Sequence, residues 1–250
     1  MRHADRTIHS IADLVSALLE QHDDSQLRWF RGHASIDWKL IPNIARNPEH
    51  LKAELGAIKI FKQLSRPLLV STPRTDWEWI FLMQHHAAPT RLLDWSENPL
   101  AALYFALHDQ TDAHAADDAV IWVLDPVALN LHSGHRHQFP KDLLAFDIDG
   151  SLDAYLPENV NPALANLNPV AGIGPQNSIR MAAQSGTFTV IHSEATPIDQ
   201  VGDSNQTWRL VIPSADKSVL RQELAVLKVR DFTFFPDLDR VAMRIKEMLA

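Results

Sequence analysis

The chain has 250 residues, of which 46% are hydrophobic and 22% charged, and its formal net charge is −8 with neutral histidines. It contains no cysteine, which excludes disulfides, thiolate metal sites and a cysteine nucleophile. The acidic balance opposes the counterion release that drives sequence-independent binding to nucleic acid. Without an apolar run long enough to cross a bilayer or a signal-type segment, we expect one soluble cytoplasmic domain over residues 1–250, with no membrane partner.

The first part of the chain is predicted to be mainly helical. Ser10 followed by Asp13 is typical of a capping box that opens a first helix. Residues 27–31 predict a short strand that ends at Gly32, and the apolar period over residues 49–66 predicts a second helix. Five apolar side chains are expected on its inward face: Leu51, Leu55, Ile58, Phe61 and Leu64.

Two further helices are predicted on either side of a polar segment. Thr75 with Glu78 makes a second capping box, starting a helix that ends near residues 84–87. Asn98 with Pro99 at the first helical position predicts the next helix. We therefore interpret the polar segment as a loop between two helices.

Strands dominate the later part of the chain. Predicted strands cover residues 119–124, 178–183, 187–192, 208–212 and 225–229. Two more helices are predicted at residues 214–224 and 237–249. Helices first and strands later predict an α+β fold, with N-terminal helices packed on a mixed or antiparallel sheet.

The most informative stretch is residues 84–107, where a polar cluster leads into an apolar helix. The cluster contains Gln84, His85, His86, Arg91, Asp94 and Trp95. The guanidinium of Arg91 suits a phosphate or carboxylate, and Asp94 can orient it or bind a ligand hydroxyl. The alternative is a buried Arg91–Asp94 pair that fastens the loop to the next helix. Arg31 before Gly32 leaves the same two interpretations open, namely contact with a ligand or a structural salt bridge.

No metal site is predicted. The histidine-rich segment at residues 132–137 lacks a clear carboxylate partner, and we interpret it as a solvated loop. His85 and His86 are adjacent, so on a helix their side chains point about 100° apart and at most one faces the cluster.

Several motifs along the chain belong together. They are Phe30-Arg31-Gly32, Trp38-Lys39-Leu40-Ile41-Pro42, Arg46, Gln84-His85, the PTRLLDW run at 89–95, Asn98-Pro99, the ALYFA run at 102–106, Arg180, the AQSGTF run at 183–188 and the FPDL run at 235–238. Together they resemble the FRG domain family, which is named for the first of them. The chain departs from that family at Ala87-Ala88, where a glycine usually follows the histidine.

The order of these motifs is also similar to that of ADP-ribosyltransferases, which implies a split-sheet fold. Arg31-Gly32 would end the first strand, Ser96 would supply the hydroxyl before the helix at 102–106, and residues 177–184 would form the strand that bears a glutamate. That glutamate is missing here. The nearest candidates to replace it are Gln176, Asn177 and Gln184.

The second resemblance implies NAD as a substrate. Cleavage of the nicotinamide–ribose bond builds positive charge on the ribose, so the site must hold phosphate, stack the nicotinamide and stabilise that charge. Arg31 or Arg91 would clamp phosphate, Trp95 or Tyr104 would stack, and Asp94 would replace the glutamate. The predicted catalytic residues are Arg31, His85, Asp94, Ser96 and Gln184. The predicted ligand-binding residues are Gly32, Gln84, Thr90, Arg91, Trp95 and Tyr104.

The resemblances therefore imply an NAD- or nucleotide-binding, ADP-ribosyltransferase-like protein, acting as a bacterial toxin or phage-defence effector on a protein or nucleic-acid acceptor. One alternative is a non-catalytic module that binds a nucleotide, RNA or protein. Another is a nuclease that uses His85 as its base. The catalytic hypotheses require Arg31, His85, Arg91 and Asp94 to converge on one open pocket.

Overall fold

A computed structural model describes residues 4–20, 26–108, 113–135, 142–161, 165–175, 178–203 and 205–249. In these ranges eight strands form one sheet: β1 (Arg6–Thr7), β2 (Trp29–His33), β3 (Leu92–Ser96), β4 (Ala119–Leu124), β5 (Leu144–Ala145), β6 (Val170–Ile173), β7 (Gly186–Val190) and β8 (Thr207–Ile212). The α-helices of the same ranges are α1 (Ile11–Glu20), α2 (Pro48–Ser65), α3 (Asp76–His85), α4 (Pro99–Leu107), α5 (Pro126–His132), α6 (Ile179–Ala183), α7 (Lys217–Val226), α8 (Asp231–Phe234) and α9 (Leu238–Leu249). Short 3₁₀ turns lie at Asn43–Arg46, Arg66–Leu68, Gly150–Tyr155, Ile198–Gln200 and Ser214–Asp216.

The sheet is mixed, and its strand order is β1-β8-β4-β2-β3-β7-β6-β5. The two outermost pairs, β1–β8 and β5–β6, are parallel, whereas the inner pairs are antiparallel. Side chains alternate between its faces: Phe30 packs in the core cluster of α4, and neighbouring Trp29 packs in a different one. The predicted α+β class with a mixed sheet is confirmed. None of the described helices is long and apolar enough to cross a membrane.

The centre of the sheet is its weakest junction. β2 pairs with β4 along all five of its residues, but β2 and β3 share the single register pair Phe30↔Ser96. Beyond that pair, β2 and β3 have no further paired residues in the sheet. A cavity lies at this point, lined by residues of both strands.

Gly32 explains how α4 can lie so close to β2. A Cβ atom at Gly32 would be 1.9 Å from the backbone oxygen of Ala102 and 2.5 Å from the backbone nitrogen of Ala106. Only glycine allows this approach. The prediction that the strand ends at Gly32 is wrong, because β2 continues through His33.

Predictions that rested on capping residues are confirmed. The side chains of Ser10, Thr75 and Asn98 accept hydrogen bonds from the backbone N–H groups at the starts of α1, α3 and α4, at 3.1, 3.1 and 2.9 Å. The inward face of α2 was predicted less well. Ile58 is buried, but Leu55 and Leu64 are exposed, because the helix buries Glu54 one turn before Ile58.

Three other assignments are wrong. The polar segment after α3 is not a loop throughout, since residues Leu92–Ser96 form β3 in the middle of the sheet. The strand predicted at residues 178–183 is instead α6 (Ile179–Ala183), because Ser178 caps a helix by accepting from the Met181 N–H at 3.1 Å. The strand predicted at residues 225–229 is absent, since α7 continues to Val226.

Candidate functional site

The cavity at the β2–β3 junction has a volume of about 290 Å³ and is open to solvent. Residues of β2, α3, β3, α4, α6 and β7 line it. The charged and hydrogen-bonding side chains among them include Arg31, Gln84, His85, Asp94, Arg180 and Gln184. Aromatic rings of Trp38, Phe81, Phe105 and Phe188 complete the walls. The cavity thus combines two cations, one acid and apolar surface.

Arg31 spans the gap between β2 and β3. Its Nη1 donates to the backbone oxygen of Asp94 at 2.6 Å, and its Nε donates to Nε2 of His33 at 3.0 Å. Burial lowers the pKa of Arg31, while the charge of Asp94 opposes the change. Arginine nevertheless stays protonated in proteins. Arg31 therefore presents a cation to the cavity while its direct partners are neutral acceptors.

His33 must be neutral to hold Arg31 in this way. Because the Nε–H of arginine can only donate, Nε2 of His33 carries a lone pair and its proton lies on Nδ1. His33 is 2% exposed. Burial, followed by the charges of Arg31 and Arg46, holds its pKa well below the usual value. Hydrogen bonding with the Trp38 backbone opposes this lowering of the pKa.

A chain of hydrogen bonds orients Asp94. The Thr90 hydroxyl donates to Oε1 of Gln84, and Nε2 of Gln84 donates to Oδ2 of Asp94 at 2.7 Å. Thr90 thus fixes which end of the Gln84 amide faces the acid. Thr90 is buried and does not line the cavity, so it is linked to Asp94 only through Gln84. Asp94 is exposed, and it is the one acid among the described residues of the lining.

His85 reaches the cavity from the last turn of α3. Burial, then the charges of His86 and Arg180, lowers the pKa of His85, so its imidazole is neutral at pH 7. Its Nδ1 is buried and has no partner among the described residues. A neutral imidazole with an unused nitrogen can accept a proton. The prediction that only one of the two adjacent histidines faces the cluster fits the lining, which includes His85 and not His86.

The turn after α3 has the geometry that usually requires glycine. Ala88 N–H donates to the Met83 oxygen and Ala87 N–H to the Gln84 oxygen, both at 3.0 Å, which is a Schellman motif. Ala87 consequently has a φ of 58°. The departure from the family's glycine therefore leaves the turn intact and places an alanine in the left-handed region.

Arg180 is the site residue that sequence reasoning missed. It appeared there only as a motif residue, because residues 178–183 were interpreted as a strand. The Ser178 cap was the signal that could have placed Arg180 in the first turn of a helix. In the structure Nη1 of Arg180 donates to the backbone oxygen of His85 at 3.2 Å. Burial lowers the pKa of Arg180, and the charges of Asp94 and Asp237 oppose this.

Ser96 and Gln184 lie in the wall, but their polar groups are used within the protein. The Ser96 hydroxyl donates to the backbone oxygen of Gln184 at 2.6 Å and accepts the Asn98 N–H at 2.9 Å. The Gln184 amide nitrogen donates to the backbone oxygen of Phe234 at 3.0 Å. Gln176 and Asn177 lie outside the described residues.

The structure does not bring Arg91 into the cavity. Its guanidinium is 4% exposed and forms a two-bond fork with Glu54, in which Nε lies 2.9 Å from Oε1 and Nη2 contacts Oε2. Nη1 donates to the backbone oxygen of Tyr155 at 2.6 Å. The predicted pair with Asp94 is wrong, because Glu54 of α2 is the carboxylate partner. The alternative that Arg91 forms a buried structural ion pair is therefore correct, but its partner is Glu54 and not Asp94.

The side chains of the two predicted stacking residues, Trp95 and Tyr104, are also engaged in contacts within the protein. Trp95 borders the cavity, but its indole is 3% exposed in a core cluster with Trp29, and its N–H donates to Thr189 at 3.1 Å. Tyr104 does not line the cavity: its ring stacks on His108 at 4.1 Å, and its hydroxyl donates to Asp231. Burial raises the pKa of Tyr104. Trp38 and Phe105 are the half-buried aromatic rings of the lining.

The histidine-rich segment is less isolated than predicted. Nε2 of His132 lies 3.1 Å from a carboxylate oxygen of Asp203. His137 lies outside the described residues. In the part of the chain that the structure describes, no three His, Asp or Glu side chains are grouped to hold a metal ion.

Fold and cavity together define an α+β protein with a polar site where two central strands separate. Residues 26–115 match the family model of the FRG domain, so the predicted resemblance to this family is confirmed over those residues. The matched range contains Arg31, His85 and Asp94, whereas Arg180 and Gln184 lie beyond it. No curated protein and no solved structure matches the chain. The ADP-ribosyltransferase-like split sheet and the single domain over residues 1–250 stay predictions.

Proposed function

We propose that the cavity binds a phosphate-bearing nucleotide, with NAD as the candidate substrate, and cleaves its nicotinamide–ribose bond. The observation that carries the proposal is convergence: Arg31 and Arg180, each more than 50 positions from His85 and Asp94 in the sequence, line one open cavity with them. Arg91, the fourth residue expected there, is replaced by Arg180 as the second cation.

The charges suit such a ligand. Two guanidinium groups favour phosphate oxygens, and Asp94 can accept a ribose hydroxyl. The volume of about 290 Å³ lies near the lower end of ligand pockets, which span about 300–1,000 Å³. The cavity therefore suits the nicotinamide mononucleotide half of NAD, with the ring against Trp38 or Phe105.

The same residues supply a balanced reaction. When the C1′–N bond breaks, its electron pair leaves with nicotinamide, and positive charge develops on the ribose. The Asp94 carboxylate stabilises this charge electrostatically. Water or an acceptor hydroxyl then forms a bond to C1′, and its proton passes to the neutral imidazole of His85. The products are nicotinamide and ADP-ribose, either free or attached to a protein or nucleic-acid acceptor.

An NAD-consuming activity would suit a bacterial toxin or a phage-defence effector, and that cellular role is part of the proposal. A second candidate is a module that binds the nucleotide without turnover. The internal hydrogen bonds of Ser96 and Gln184 favour it, because they leave the predicted catalytic hydroxyl and amide engaged.

The test is NAD binding by calorimetry and nicotinamide release by chromatography, with folded wild type, Arg31→Ala and Asp94→Asn. We expect Arg31→Ala to weaken binding. Asp94→Asn should keep binding and lose turnover by about 100-fold or more, the scale of a lost electrostatic group in a site. Asp37→Asn, an exposed acid outside the lining, is the matched control.

Turnover that survives in Asp94→Asn would contradict the role of this acid. Binding without turnover in wild type would select the second candidate. Absence of NAD binding in wild type would overturn both.

A further inference from the structure

The segment between α8 and α9 supports one wall of the cavity without lining it. Phe235 packs against two residues of the lining, Arg180 and Phe105, and the backbone oxygen of Phe234 accepts the hydrogen bond from a third, Gln184. Residues 235–238 also form one of the motifs of the sequence, and the proposed function gives that motif no role.

The Phe235 ring contacts the Arg180 guanidinium. The Cζ atom of Arg180 lies 4.6 Å from the centre of this ring. The hydrogen bond to the His85 oxygen is the other direct contact of the guanidinium among the described residues. Asp94 and Asp237 act on it through their charge, without an ion pair in the described part of the chain. An aromatic face attracts a guanidinium and does not neutralise its charge.

The ring also brings a second cation close to the first. The Cζ atom of Arg240 lies 5.3 Å from the same ring centre. Arg240 is held independently, since its Nη1 donates to Asp231 at 3.2 Å. Phe235 thus attracts two like charges that repel one another, one held by Asp231 and the other in the lining of the cavity.

The segment itself is anchored to the core. Phe235 N–H donates to the backbone oxygen of Asp231 at 2.8 Å, and the Asp231 carboxylate accepts the hydroxyl of Tyr104 in α4. Phe234 is 1% exposed in the same core cluster as Tyr104. The position of the Phe235 ring therefore follows from the packing of α4 and α8, before any ligand arrives.

We infer that Phe235 is a positioning residue that holds the guanidinium of Arg180 in the orientation that meets a ligand phosphate. This inference rests on the proposed function, in which Arg180 supplies one of the two phosphate-binding cations. A guanidinium held in place before binding loses less conformational freedom when the phosphate arrives, which raises affinity. The ring leaves the charge available, as a carboxylate partner would not.

The test compares Phe235→Leu, which removes the aromatic face and keeps an apolar side chain, with Phe235→Tyr, which keeps the face. Phe232→Leu is the matched control, because Phe232 lies in α8 and is 46% exposed. The probes are NAD and nicotinamide riboside, which lacks phosphate. We expect Phe235→Leu to weaken NAD binding about tenfold and to leave riboside binding unchanged, since ordering a free arginine side chain on binding costs roughly that factor. Phe235→Tyr and Phe232→Leu should bind NAD as wild type does.

A measurement without ligand guards against a general loss of structure. The Nε–H NMR signal of Arg180, assigned with Arg180→Lys, should shift in Phe235→Leu because the ring current is lost. A wild type that binds neither probe would overturn the proposed function and this inference with it. If Phe235→Leu binds NAD with the affinity of wild type, the inference alone is overturned. The same holds if Phe235→Leu loses equal affinity for NAD and for nicotinamide riboside.

Discussion

Two arginines of this protein show how the surroundings of a guanidinium decide its role. Arg91 is buried and uses its fork on Glu54 and its remaining nitrogen on the Tyr155 oxygen. Arg31 lines an open cavity, and its direct partners are a neutral imidazole and a backbone oxygen. The first guanidinium is saturated by the protein and stabilises the fold. The second faces the cavity without a carboxylate partner among the described residues.

Breaking the buried pair should have the largest effect. Glu54→Ala leaves Arg91 buried without its carboxylate, and we expect a loss of about 3–5 kcal/mol in the free energy of unfolding, measured by chemical denaturation. The control is Glu49→Ala in the same helix, where Glu49 pairs with Lys52 at 2.7 Å and both side chains are 72% exposed. That pair should contribute no more than about 1 kcal/mol. Similar losses in the two variants would show that the Arg91 cluster is not structural.

The contact between β2 and α4 ranks next. Gly32→Ala places a Cβ atom against the backbone of Ala102, so α4 must move or the strand must bend. We expect a loss of about 3 kcal/mol, at the upper end of the usual cost of overpacking. Gly56→Ala in α2, where a Cβ meets nothing within 4 Å, should instead be neutral or stabilising. A Gly32→Ala variant with wild-type stability would mean that the two elements approach less closely than described.

The neutral histidine beside Arg31 predicts a pH dependence. His33 has its pKa depressed from 6.5 by burial and by Arg31, so the unfolded chain binds its proton more readily than the folded protein. Stability from this group is therefore present above pH 6.5 and lost as the pH falls, by up to about 1.4 kcal/mol for each pH unit. His33→Gln cannot titrate and can still accept from Arg31.

Unfolding free energies measured from pH 7.5 to pH 5.5 should therefore fall less steeply in His33→Gln than in wild type. His192→Gln makes the matching comparison at the other arginine, because burial and Arg91 lower the pKa of His192 as well. Parallel pH profiles for wild type and His33→Gln would show that His33 is already protonated or solvated.

The smallest expected effect concerns the turn that follows α3. Ala87 has a φ of 58°, a conformation that costs an alanine roughly 1 kcal/mol and a glycine almost nothing. Ala87→Gly should therefore raise the free energy of unfolding by about 0.5–1 kcal/mol, measured by denaturant titration. Ala88→Gly, at a residue without positive φ, should lower it. Opposite signs in the two variants would support the Schellman turn that carries His85 to the cavity.

Local signals predicted the helices and missed the sheet around the site. Ser10, Thr75 and Asn98 each form a cap with a residue two or three positions away, so short sequence windows contain the whole interaction. Residues Leu92–Ser96 form a strand only because β7 pairs with them, and β7 begins 90 residues later. No short window contains that partner.

The site was predicted in part. Arg31, His85 and Asp94 were singled out from the sequence, the resemblance implied their catalytic roles, and they do line one cavity. Trp95 was placed on the ligand side of the chain, whereas the alternation of β3 turns its indole into the core. Arg180 was missed as a site residue because its helix was interpreted as a strand.

The helix starts, the α+β class and the family resemblance could be predicted without a structure, because caps, periodicity and motifs are local properties of the chain. Which arginine lines the open cavity depends instead on the packing of distant segments. Glu54 lies 37 positions before Arg91 and Asp94 only three after it, yet Glu54 is its partner. Ion pairing depends on which side chains are buried together, and burial is settled when distant segments pack.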